Sequence, residues 1–431
     1  MAGDATPTTP AISRPDVSRW GLSTDARVSL AVAWRATWVS RLLVWVVGVG
    51  AFLIWGLMGR STEFDPGAIT SHFGSVGNAL MAPAARWDTT WFATIADHGY
   101  GTDEARPAFF PLYPLAMRAA GLLTGDAVVA GLLVSLAAMV VALAALHRLT
   151  VLELGAPAAR IAVWAVALFP MAFFLSAVYS ESLFLAFAVG CVLAARTDRW
   201  ALAGTLGGLA AATRSAGLLL VVALALLFWD ARRRAAPADR EAPAWPRALW
   251  IGLVPLGPAL ICLWFAARGL DGMAPFHAQD TWMRAFRGPF VGVWDGTVAA
   301  WDGARQLLSG SRTPVYFAPA GGDPFNVAWH NLLPFAFLVL TVPALVATFR
   351  RLPLAYGAYA LAALALPLSY PVGPQPLMSY PRFVAVLFPL FMGAGAWAAA
   401  GPPWRTRVLL GASAAGLVAC TAQFATWHWV A

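Results

Sequence analysis

The sequence predicts an all-α, polytopic membrane protein, and three observations support this fold class. Hydrophobic residues make up 60% of the 431 residues, and the mean hydropathy is +0.67. Charged residues make up 12%, about half of the roughly 25% that is typical of soluble domains. Long apolar runs recur from residue 38 to residue 428, as expected of helices surrounded by lipid. These features exclude an ordinary soluble enzyme and a disordered chain.

The apolar runs predict about eleven membrane-spanning helices, since about 20 apolar residues are needed to cross a bilayer. Residues 38–428 are therefore interpreted as a single transmembrane domain. The short runs between residues 182 and 230 are also compatible with half-helices or tilted pairs, and residues 107–124 are expected to lie on the membrane surface. The predicted spans are 38–58, 127–148, 161–179, 182–196, 200–214, 215–230, 248–269, 326–348, 353–370, 382–400 and 408–428.

Arginine placement predicts how these helices are oriented. The chain contains no lysine, so all 29 basic residues are arginines, and the net charge is +8. Threading the chain through the eleven spans places every short arginine-rich connection on one side, which the positive-inside rule assigns to the cytoplasm. The N-terminal tail 1–37 and the arginine-rich loop 231–247 lie there, whereas the long loops 59–126 and 270–325 are extracytoplasmic. Topology thus explains the positive charge, and no nucleic-acid partner is expected.

Several kinds of chemistry have no support in the sequence. Cys191, Cys262 and Cys420 lie in apolar runs without a CxxC or Cys/His cluster, so they are expected to pack as small core residues. No glycine-rich phosphate loop is present, and neither a cofactor nor a metal is expected. The polar start of the chain lacks the early apolar region of a cleaved signal peptide, so the first span is expected to be an uncleaved anchor.

The second long loop contains a candidate interfacial helix. Trp294, Val298, Trp301 and Leu308 recur at helical spacing, which places them on one face, and tryptophan favours the membrane interface. Residues 291–309 are therefore predicted to form an amphipathic helix that lies flat on the membrane. The pattern has two interpretations. It reflects only the apolar and polar faces of an interfacial helix, or the helix is a lid over a lipid-linked substrate.

The first long loop contains the strongest candidate for chemistry. Residues 86–100 read RWDTTWFATIADHGY, which places Asp88 between two tryptophans close to the membrane surface. A carboxylate in this position is able to act as a general base. Alternatively, Asp88 is the N-cap of a short helix whose membrane face carries Trp91, Ile95 and His98.

Two further blocks combine aromatic, proline and acidic residues. Residues 109–115, which include Tyr113, form either an interfacial aromatic–proline element or one wall of a groove for a prenyl or acyl chain. Tyr179 and Glu181 follow a proline-containing span, which the proline is expected to kink. An acidic residue such as Glu181 at the membrane edge is usually functional or paired; alternatively, Ser180 caps the next helix and Glu181 lies in its first turn.

Two arginines are expected on the same side of the membrane as Asp88. Residues 213–217 interrupt an apolar run, so Arg214 needs an anionic partner, either a lipid phosphate or the carboxylate of Glu181. Arg382 opens a later span, either as an interfacial anchor or as a second phosphate contact. This arrangement suits transfer from a phosphate-bearing lipid, because the acceptor hydroxyl needs a base and the leaving phosphate needs positive charge.

Five blocks of the sequence, taken in order, resemble the PIG-V mannosyltransferases, also called GPI mannosyltransferase 2. The blocks are RWDxxWFxxIAxxGY at 86–100, FFPLYP at 109–114, FLSAVYSESLF at 174–184, ATRSAG at 212–217 and PRF at 381–383. The sequence departs from the family's pattern at Phe92, where tyrosine is common, and at Ala216, where threonine is expected. Both changes are conservative and leave the implied chemistry in place.

The resemblance implies a GT-C glycosyltransferase fold, whose two long extracytoplasmic loops carry interfacial helices. It implies a polyprenyl-phosphate-mannose donor and an inverting, single-displacement transfer without a cofactor. Asp88 becomes the candidate base and Arg214 a candidate ligand of the donor phosphate, to which Arg382 adds a second contact. The candidate substrate-binding residues are Trp87, Trp91, Tyr113, Tyr179, Glu181 and Ser215.

The acceptor and two other functions are left open by the sequence. A lysine-free composition rich in Ala, Gly and Pro suggests a GC-rich, actinobacterial-type source, in which a GPI precursor is not expected. The acceptor is then a lipid, a glycan or a protein at the extracytoplasmic face of the cell membrane. The chain could instead be a transporter or flippase for a polyprenyl-linked sugar, or a non-catalytic subunit that docks a partner through loop 231–247.

Overall fold

The computed structural model of the protein describes residues 24–55, 65, 67–234, 245–310, 324–373 and 375–430. Within these ranges, the regular elements are helices, and the β-type pairing consists of isolated bridges from Val372 to Arg284 and to Gln375. The predicted all-α class is therefore confirmed. Parts of the predicted tail 1–37, loop 59–126, loop 231–247 and loop 270–325 lie outside the described residues.

The described residues form eighteen α-helices, numbered in chain order. The first nine are α1 (Thr24–Trp55), α2 (Gly74–Met81), α3 (Thr89–His98), α4 (Leu112–Thr124), α5 (Ala127–Leu154), α6 (Ala156–Leu168), α7 (Glu181–Arg196), α8 (Trp200–Thr213) and α9 (Leu220–Arg234). The others are α10 (Trp245–Leu249), α11 (Leu253–Ala267), α12 (Ala274–Thr281), α13 (Pro289–Ser309), α14 (Pro324–Arg351), α15 (Leu354–Leu368), α16 (Tyr380–Ala385), α17 (Phe388–Ala399) and α18 (Pro403–Ala425). Short 3₁₀ helices cover Arg106–Ala108, Ala172–Leu175, Ser215–Leu219 and Trp250–Gly252.

Six helical stretches within the described ranges are long and apolar enough to cross a membrane. They are Asp25–Trp55, Ala127–Leu154, Ser215–Arg234, Trp245–Ala267, Ala328–Arg351 and Pro403–Ala425. Shorter apolar helices of 10–17 residues, α6, α8, α15 and α17, accompany them. The chain is therefore a multi-pass membrane protein, whereas the number of eleven spans stays a prediction.

Three helix boundaries differ from the predicted spans. α1 begins at Thr24 rather than at residue 38. The predicted span 161–179 leaves the α-helical conformation after Leu168, and the predicted span 382–400 is divided between α16 and α17. Pro170 disfavours a helical conformation in the residue before it, and Phe169 is indeed extended there (ψ 143°). Pro389 lacks the N–H group that would continue the helix from Ala385, and it instead lies in the first turn of α17.

A buried arginine in α1 stabilises the break after α6. Arg41 donates through Nη1 to the carbonyl oxygen of Ala172 (2.6 Å) and to Oγ of Ser176 (2.7 Å), and through Nη2 to the carbonyl oxygen of Ala167 (3.1 Å). Carbonyl groups at the end of a helix lack partners within that helix. The guanidinium group supplies such partners inside the protein and thereby fixes the path of the chain toward Glu181.

The helix predicted in the second long loop is present as α13. Its buried side carries small residues, and Gly292 approaches the carbonyl oxygen of Leu368 so closely that a Cβ atom would clash. Its other side exposes Trp294, Trp301 and Leu308, with 69%, 66% and 89% of their surface accessible. This pattern agrees with the predicted amphipathic helix, whose flat orientation on the membrane stays a prediction.

An ion pair at the end of α7 marks one end of the helix bundle. Arg196 pairs there with Glu153 of α5, whose carboxylate also accepts a hydrogen bond from the hydroxyl of Tyr356 in α15 (2.7 Å). α7 runs from this pair to Glu181 at its other end, about 22 Å away at 1.5 Å per residue. Two separate charged clusters therefore lie at opposite ends of α7, and the cluster around Glu181 is the candidate functional site.

Candidate functional site

Four charged side chains from distant parts of the sequence meet at the start of α7. Asp88 precedes α3, Glu181 opens α7, Arg214 follows α8, and Arg382 lies in α16. Arg382 links the two carboxylates, because its Nη1 atom donates to Oδ2 of Asp88 and its Nε atom donates to Oε1 of Glu181. The structure thus brings together the predicted base and both arginines predicted to bind the donor phosphate.

Glu181 is the buried centre of this network. Its side chain is fully buried, and its Oε1 atom accepts hydrogen bonds from both Arg214 and Arg382. Its Oε2 atom is also buried and accepts no hydrogen bond from a described residue. Ser180 makes no side-chain capping bond to α7, and its Oγ atom instead accepts from Nη1 of Arg214 (3.3 Å). The two guanidinium groups therefore compensate the buried carboxylate and are held in place by it.

Asp88 has one carboxylate oxygen engaged and the other available. Oδ2 accepts from Arg382, whereas Oδ1 accepts no hydrogen bond from a described residue, and 17% of the side chain is exposed. Asp88 occupies the N-cap position of α3, yet its side chain makes no capping bond. Its backbone N–H donates to the hydroxyl of Tyr179 (3.0 Å), which itself donates to the carbonyl oxygen of Arg86 (3.0 Å). The backbone around Asp88 is thus fixed while one oxygen can still accept a proton.

The residues that precede Asp88 are held by the last residues of the chain. Trp87 has a left-handed backbone conformation (φ 53°), which is uncommon for a residue other than glycine and is often found at functional sites. Its ring contacts Trp427 (5.6 Å between centroids) and Trp429 (5.2 Å) edge to face. Arg86 donates to the carbonyl oxygen of Ala425 (3.2 Å) at the end of α18. These contacts stabilise the conformation that directs Asp88 toward Arg382.

Trp427→Ala is expected to lower the turnover number of the predicted transfer from a phosphate-bearing lipid about 10- to 100-fold. The reason is that a small displacement of the predicted base, Asp88, is enough for a loss of this size. The variant removes one of the two tryptophans against Trp87 and leaves the ion pairs of Asp88 unchanged. Turnover and thermal unfolding are to be measured together in purified protein. Trp294→Ala, on the exposed face of α13, is the matched control. Unchanged turnover in a folded Trp427→Ala protein would contradict the positioning role of Trp427.

An aromatic cluster joins the two long loops beside the charged network. The ring of Trp91 stacks on Phe109 (5.7 Å between centroids) and contacts Trp282 edge to face (5.6 Å). Trp282 belongs to the second long loop and also donates through Nε1 to the carbonyl oxygen of Ala105 (3.5 Å). Trp91 and Trp282 remain partly exposed, so this cluster provides an aromatic surface near Asp88.

The other predicted substrate-binding residues differ in their accessibility. Tyr113 is completely buried, and its hydroxyl interacts with the carbonyl oxygen of Gly131 (3.0 Å) and Oγ of Ser135 (2.8 Å) in α5. Tyr113 is therefore placed in the protein interior, where Oγ of Ser135 also donates to the carbonyl oxygen of Tyr179 (3.2 Å). Tyr179 is also buried, but the guanidinium group of Arg382 lies over its ring at 4.6 Å. Ser215 is exposed where the 3₁₀ helix after Arg214 begins.

Arg284 is a site residue that the sequence analysis did not single out. It lies in the second long loop, where its guanidinium group packs over the ring of Phe383 (5.8 Å). Arg214 packs over the same ring (5.6 Å), so Phe383 is shared by two guanidinium groups. Burial and the nearby Arg382 lower the pKa of Arg284 to about 10, against the opposing charge of Asp88. The sequence around Arg284 is aromatic, and nothing in it indicates that Arg284 contacts Phe383.

The comparisons with known proteins concern the part of the chain that carries most of this site. Residues 60–229, which include Asp88, Glu181 and Arg214, match a family model described as "Mannosyltransferase (PIG-V)". Arg284 and Arg382 lie outside the matched range. Within the described residues, no group of three or more His, Cys, Asp or Glu side chains is placed to hold a metal ion. No solved structure matches the chain.

Curated relatives share the same part of the sequence. The rat protein named GPI alpha-1,6-mannosyltransferase 2 is 38% identical over 159 residues, which cover 33% of this chain and 31% of the rat protein. The Chinese hamster (Cricetulus griseus) and mouse proteins of the same name are each 37% identical, over 158 and 153 residues, which cover 33% and 32% of this chain and 31% and 30% of theirs. The chain thus spans less than a third of the length of these relatives. Residues 60–229 thus match the PIG-V mannosyltransferase family that the sequence motifs resemble.

Proposed function

We propose that the protein transfers a mannosyl residue from a polyprenyl-phosphate-mannose donor to a lipid, glycan or protein acceptor. One observation supports this proposal most strongly. The Oδ1 atom of Asp88 accepts no hydrogen bond from a described residue, and Asp88 lies beside the arginines of the site, one of which, Arg382, binds its other oxygen. A base for the acceptor hydroxyl and positive charge for a phosphate leaving group are thereby present at one place. The family of residues 60–229 supports mannose as the sugar, and the apolar helices support a lipid-linked donor.

In the proposed reaction, Asp88 acts as the general base. Its Oδ1 atom accepts the proton of the acceptor hydroxyl, while Oδ2 stays bonded to Arg382. The acceptor oxygen forms a bond to the anomeric carbon of mannose, and the bond between that carbon and the phosphate oxygen breaks. The bonding electrons leave with the polyprenyl phosphate. A single displacement of this kind inverts the anomeric configuration, and positioned general bases contribute about 10²- to 10⁴-fold to such rates.

The charge of the site suits this leaving group. The site contains three guanidinium groups, of Arg214, Arg284 and Arg382, and two carboxylates, of Asp88 and Glu181, so the net charge is 3 − 2 = +1. A phosphodiester donor carries one negative charge, which the surplus positive charge balances. The phosphate gains further negative charge as the bond breaks, and fixed cations at low dielectric stabilise that change.

The site is proposed to face the extracytoplasmic side of the cell membrane. The arginine-rich connections predicted to be cytoplasmic lie at helix ends such as Arg196 and Arg232 to Arg234. Glu181 lies at the other end of α7 from Arg196. Because the positive-inside rule assigns such connections to the cytoplasm, the charged network is proposed to open away from the cytoplasm. A polyprenyl donor in the membrane then reaches the site with its head group outside.

The aromatic residues near Asp88 are proposed to bind the sugar and the start of the prenyl chain. Trp91 and Trp282 offer partly exposed rings beside the network, and aromatic faces pack well against apolar surfaces. Trp87 and Tyr179 are proposed to act through the backbone of Asp88, and Ser215 is accessible beside Arg214. Tyr113 supports the packing of α4 on α5.

The experiment that tests the proposed function uses the purified chain alone in lipid nanodiscs. It is supplied with radiolabelled polyprenyl-phosphate mannose and a crude lipid and glycan extract, and a parallel sample receives nucleotide-linked mannose. We expect the label to reach an acceptor only from the lipid-linked donor. In a parallel sample reconstituted into sealed vesicles, translocation of the donor across the membrane without transfer would instead favour a flippase. Transfer that depends on a second polypeptide would favour a non-catalytic subunit.

A further inference from the structure

Arg284 differs from the other two arginines of the site because it has no anionic partner among the described residues. Arg214 is paired with Glu181, and Arg382 is paired with both Glu181 and Asp88. Arg284 forms no ion pair with a described residue, and its Nη2 atom donates only to the carbonyl oxygen of Met378 (3.3 Å). The surplus positive charge of the site is therefore located on Arg284.

The two paired arginines, Arg382 and Arg214, already interact with other groups of the protein. The guanidinium group of Arg382 lies over the rings of Phe174 (5.1 Å) and Tyr179 (4.6 Å), and only 11% of its side chain is exposed. The side chain of Arg214 is 14% exposed and donates to Glu181 and Ser180. A phosphate that bound mainly to either arginine would compete with a buried carboxylate, which would then lose its compensating charge.

The surroundings of Arg284 connect it with both the network and the aromatic surface. Its backbone forms an isolated bridge with Val372, ten residues before Arg382. Trp282, two residues earlier, contacts Trp91 of the first long loop. The second long loop therefore brings one ring and one cation to the site together. Arg284 is partly buried, and a cation that is partly removed from water without a counter-ion is unfavourable, so an anionic ligand would stabilise it.

We infer that Arg284 is the principal ligand of the donor's phosphate, whereas Arg214 and Arg382 mainly hold Glu181 and Asp88 in place. This inference rests on the proposed function for the identity of the donor. The guanidinium group of Arg284 donates to the phosphate oxygens, and the prenyl chain and the sugar extend to either side. Arg284 thus determines the affinity for the phosphate, and Asp88 determines the rate of transfer.

The test measures binding separately from transfer. The probe is a short-chain polyprenyl phosphate without sugar, and its binding to purified protein in nanodiscs is followed by tryptophan fluorescence. Arg284→Gln is expected to weaken binding about 10- to 100-fold, the range expected for a lost charged hydrogen bond. Arg284→Lys keeps the charge but lacks the planar guanidinium group. Its affinity for polyprenyl phosphate is expected to lie between the affinities of the parent protein and of Arg284→Gln. Arg287→Gln is the matched control, because Arg287 lies in the same loop, is mostly exposed and is 4.0 Å from Asp295.

Two further measurements distinguish phosphate binding by Arg284 from a purely structural role of this residue. They also distinguish a failure of this inference from a failure of the proposed function. Arg284→Gln is expected to keep the thermal unfolding temperature of the parent protein, since no ion pair is lost, and to raise the KM for the donor more than it lowers kcat. Unchanged binding in Arg284→Gln, equal losses in Arg287→Gln, or unfolding of Arg284→Gln would overturn the inference. If the parent protein binds polyprenyl phosphate through Arg284 but transfers no mannose, the proposed function fails and the assignment of the phosphate ligand stands.

Discussion

Asp88→Asn is expected to reduce mannosyl transfer about 10²- to 10⁴-fold, the contribution typical of a positioned general base. The amide oxygen of asparagine is still able to accept the hydrogen bond from Arg382, but the amide group does not take up the acceptor's proton. The backbone contacts of residue 88 with Tyr179 do not involve the carboxylate. The variant is therefore expected to fold and to bind the donor, so that the loss appears in kcat.

Asp97→Asn provides the matched control for this variant. Asp97 lies near the other end of α3 and is exposed, so its replacement tests any general effect of removing a carboxylate from the same helix. Initial rates and donor binding are to be measured for both variants and for the parent protein. Full activity of a folded Asp88→Asn protein would remove Asp88 from the mechanism. Equal losses in both variants would point to a non-specific effect.

Glu181→Gln is expected to cause the largest combined loss of stability and activity. Glu181 is fully buried and compensates Arg214 and Arg382, so the variant leaves two buried guanidinium groups with less negative charge. Breaking a buried ion pair on one side typically lowers the free energy of unfolding by about 3–5 kcal/mol. Because Arg382 also holds Asp88, transfer is expected to fall even in the fraction of protein that remains folded.

Glu153→Gln separates the two effects of Glu181→Gln. Glu153 pairs with Arg196 at the opposite end of α7 and contacts Tyr356, so its replacement also removes a carboxylate from an ion pair. Both variants are expected to lower the thermal unfolding temperature, but only Glu181→Gln is expected to lower kcat/KM of the folded protein. A folded Glu181→Gln protein with the parent's kcat/KM would show that the network is only structural.

The general fold could be predicted because composition and apolar runs report directly on membrane insertion. The predicted spans 127–148, 182–196 and 200–214 correspond closely to α5, α7 and α8. A kink at the proline of the span 161–179 was predicted, but a complete break near Pro170 and the break near Pro389 were not, because a window of hydropathy averages over a proline. The role of Arg41 depends on carbonyl groups more than 120 residues away, and such a contact leaves no local pattern in the sequence.

The candidate site could be predicted in part, because some of its residues form a local pattern in the sequence. Asp88, Glu181 and Arg214 stand out locally, because charged residues in apolar surroundings need partners, and the structure places them together. Two contacts bear on the alternatives: Asp88 occupies the N-cap position of α3 without a capping bond, and Arg214 pairs with Glu181. Arg284 and Trp427 were missed, since each reaches the site only through tertiary contacts with Phe383 and Trp87. Tyr113 fits the motif, but its burial depends on the packing of α4 against α5.

The anomeric configuration of the product tests the central claim most directly. Purified protein is given polyprenyl-phosphate mannose of one defined anomer, and the linkage in the product is determined by NMR after a single turnover. Inversion is expected, because one base, Asp88, activates the acceptor for a single displacement at the anomeric carbon. Retention of configuration would contradict this mechanism, since a single in-line displacement at the anomeric carbon inverts the configuration.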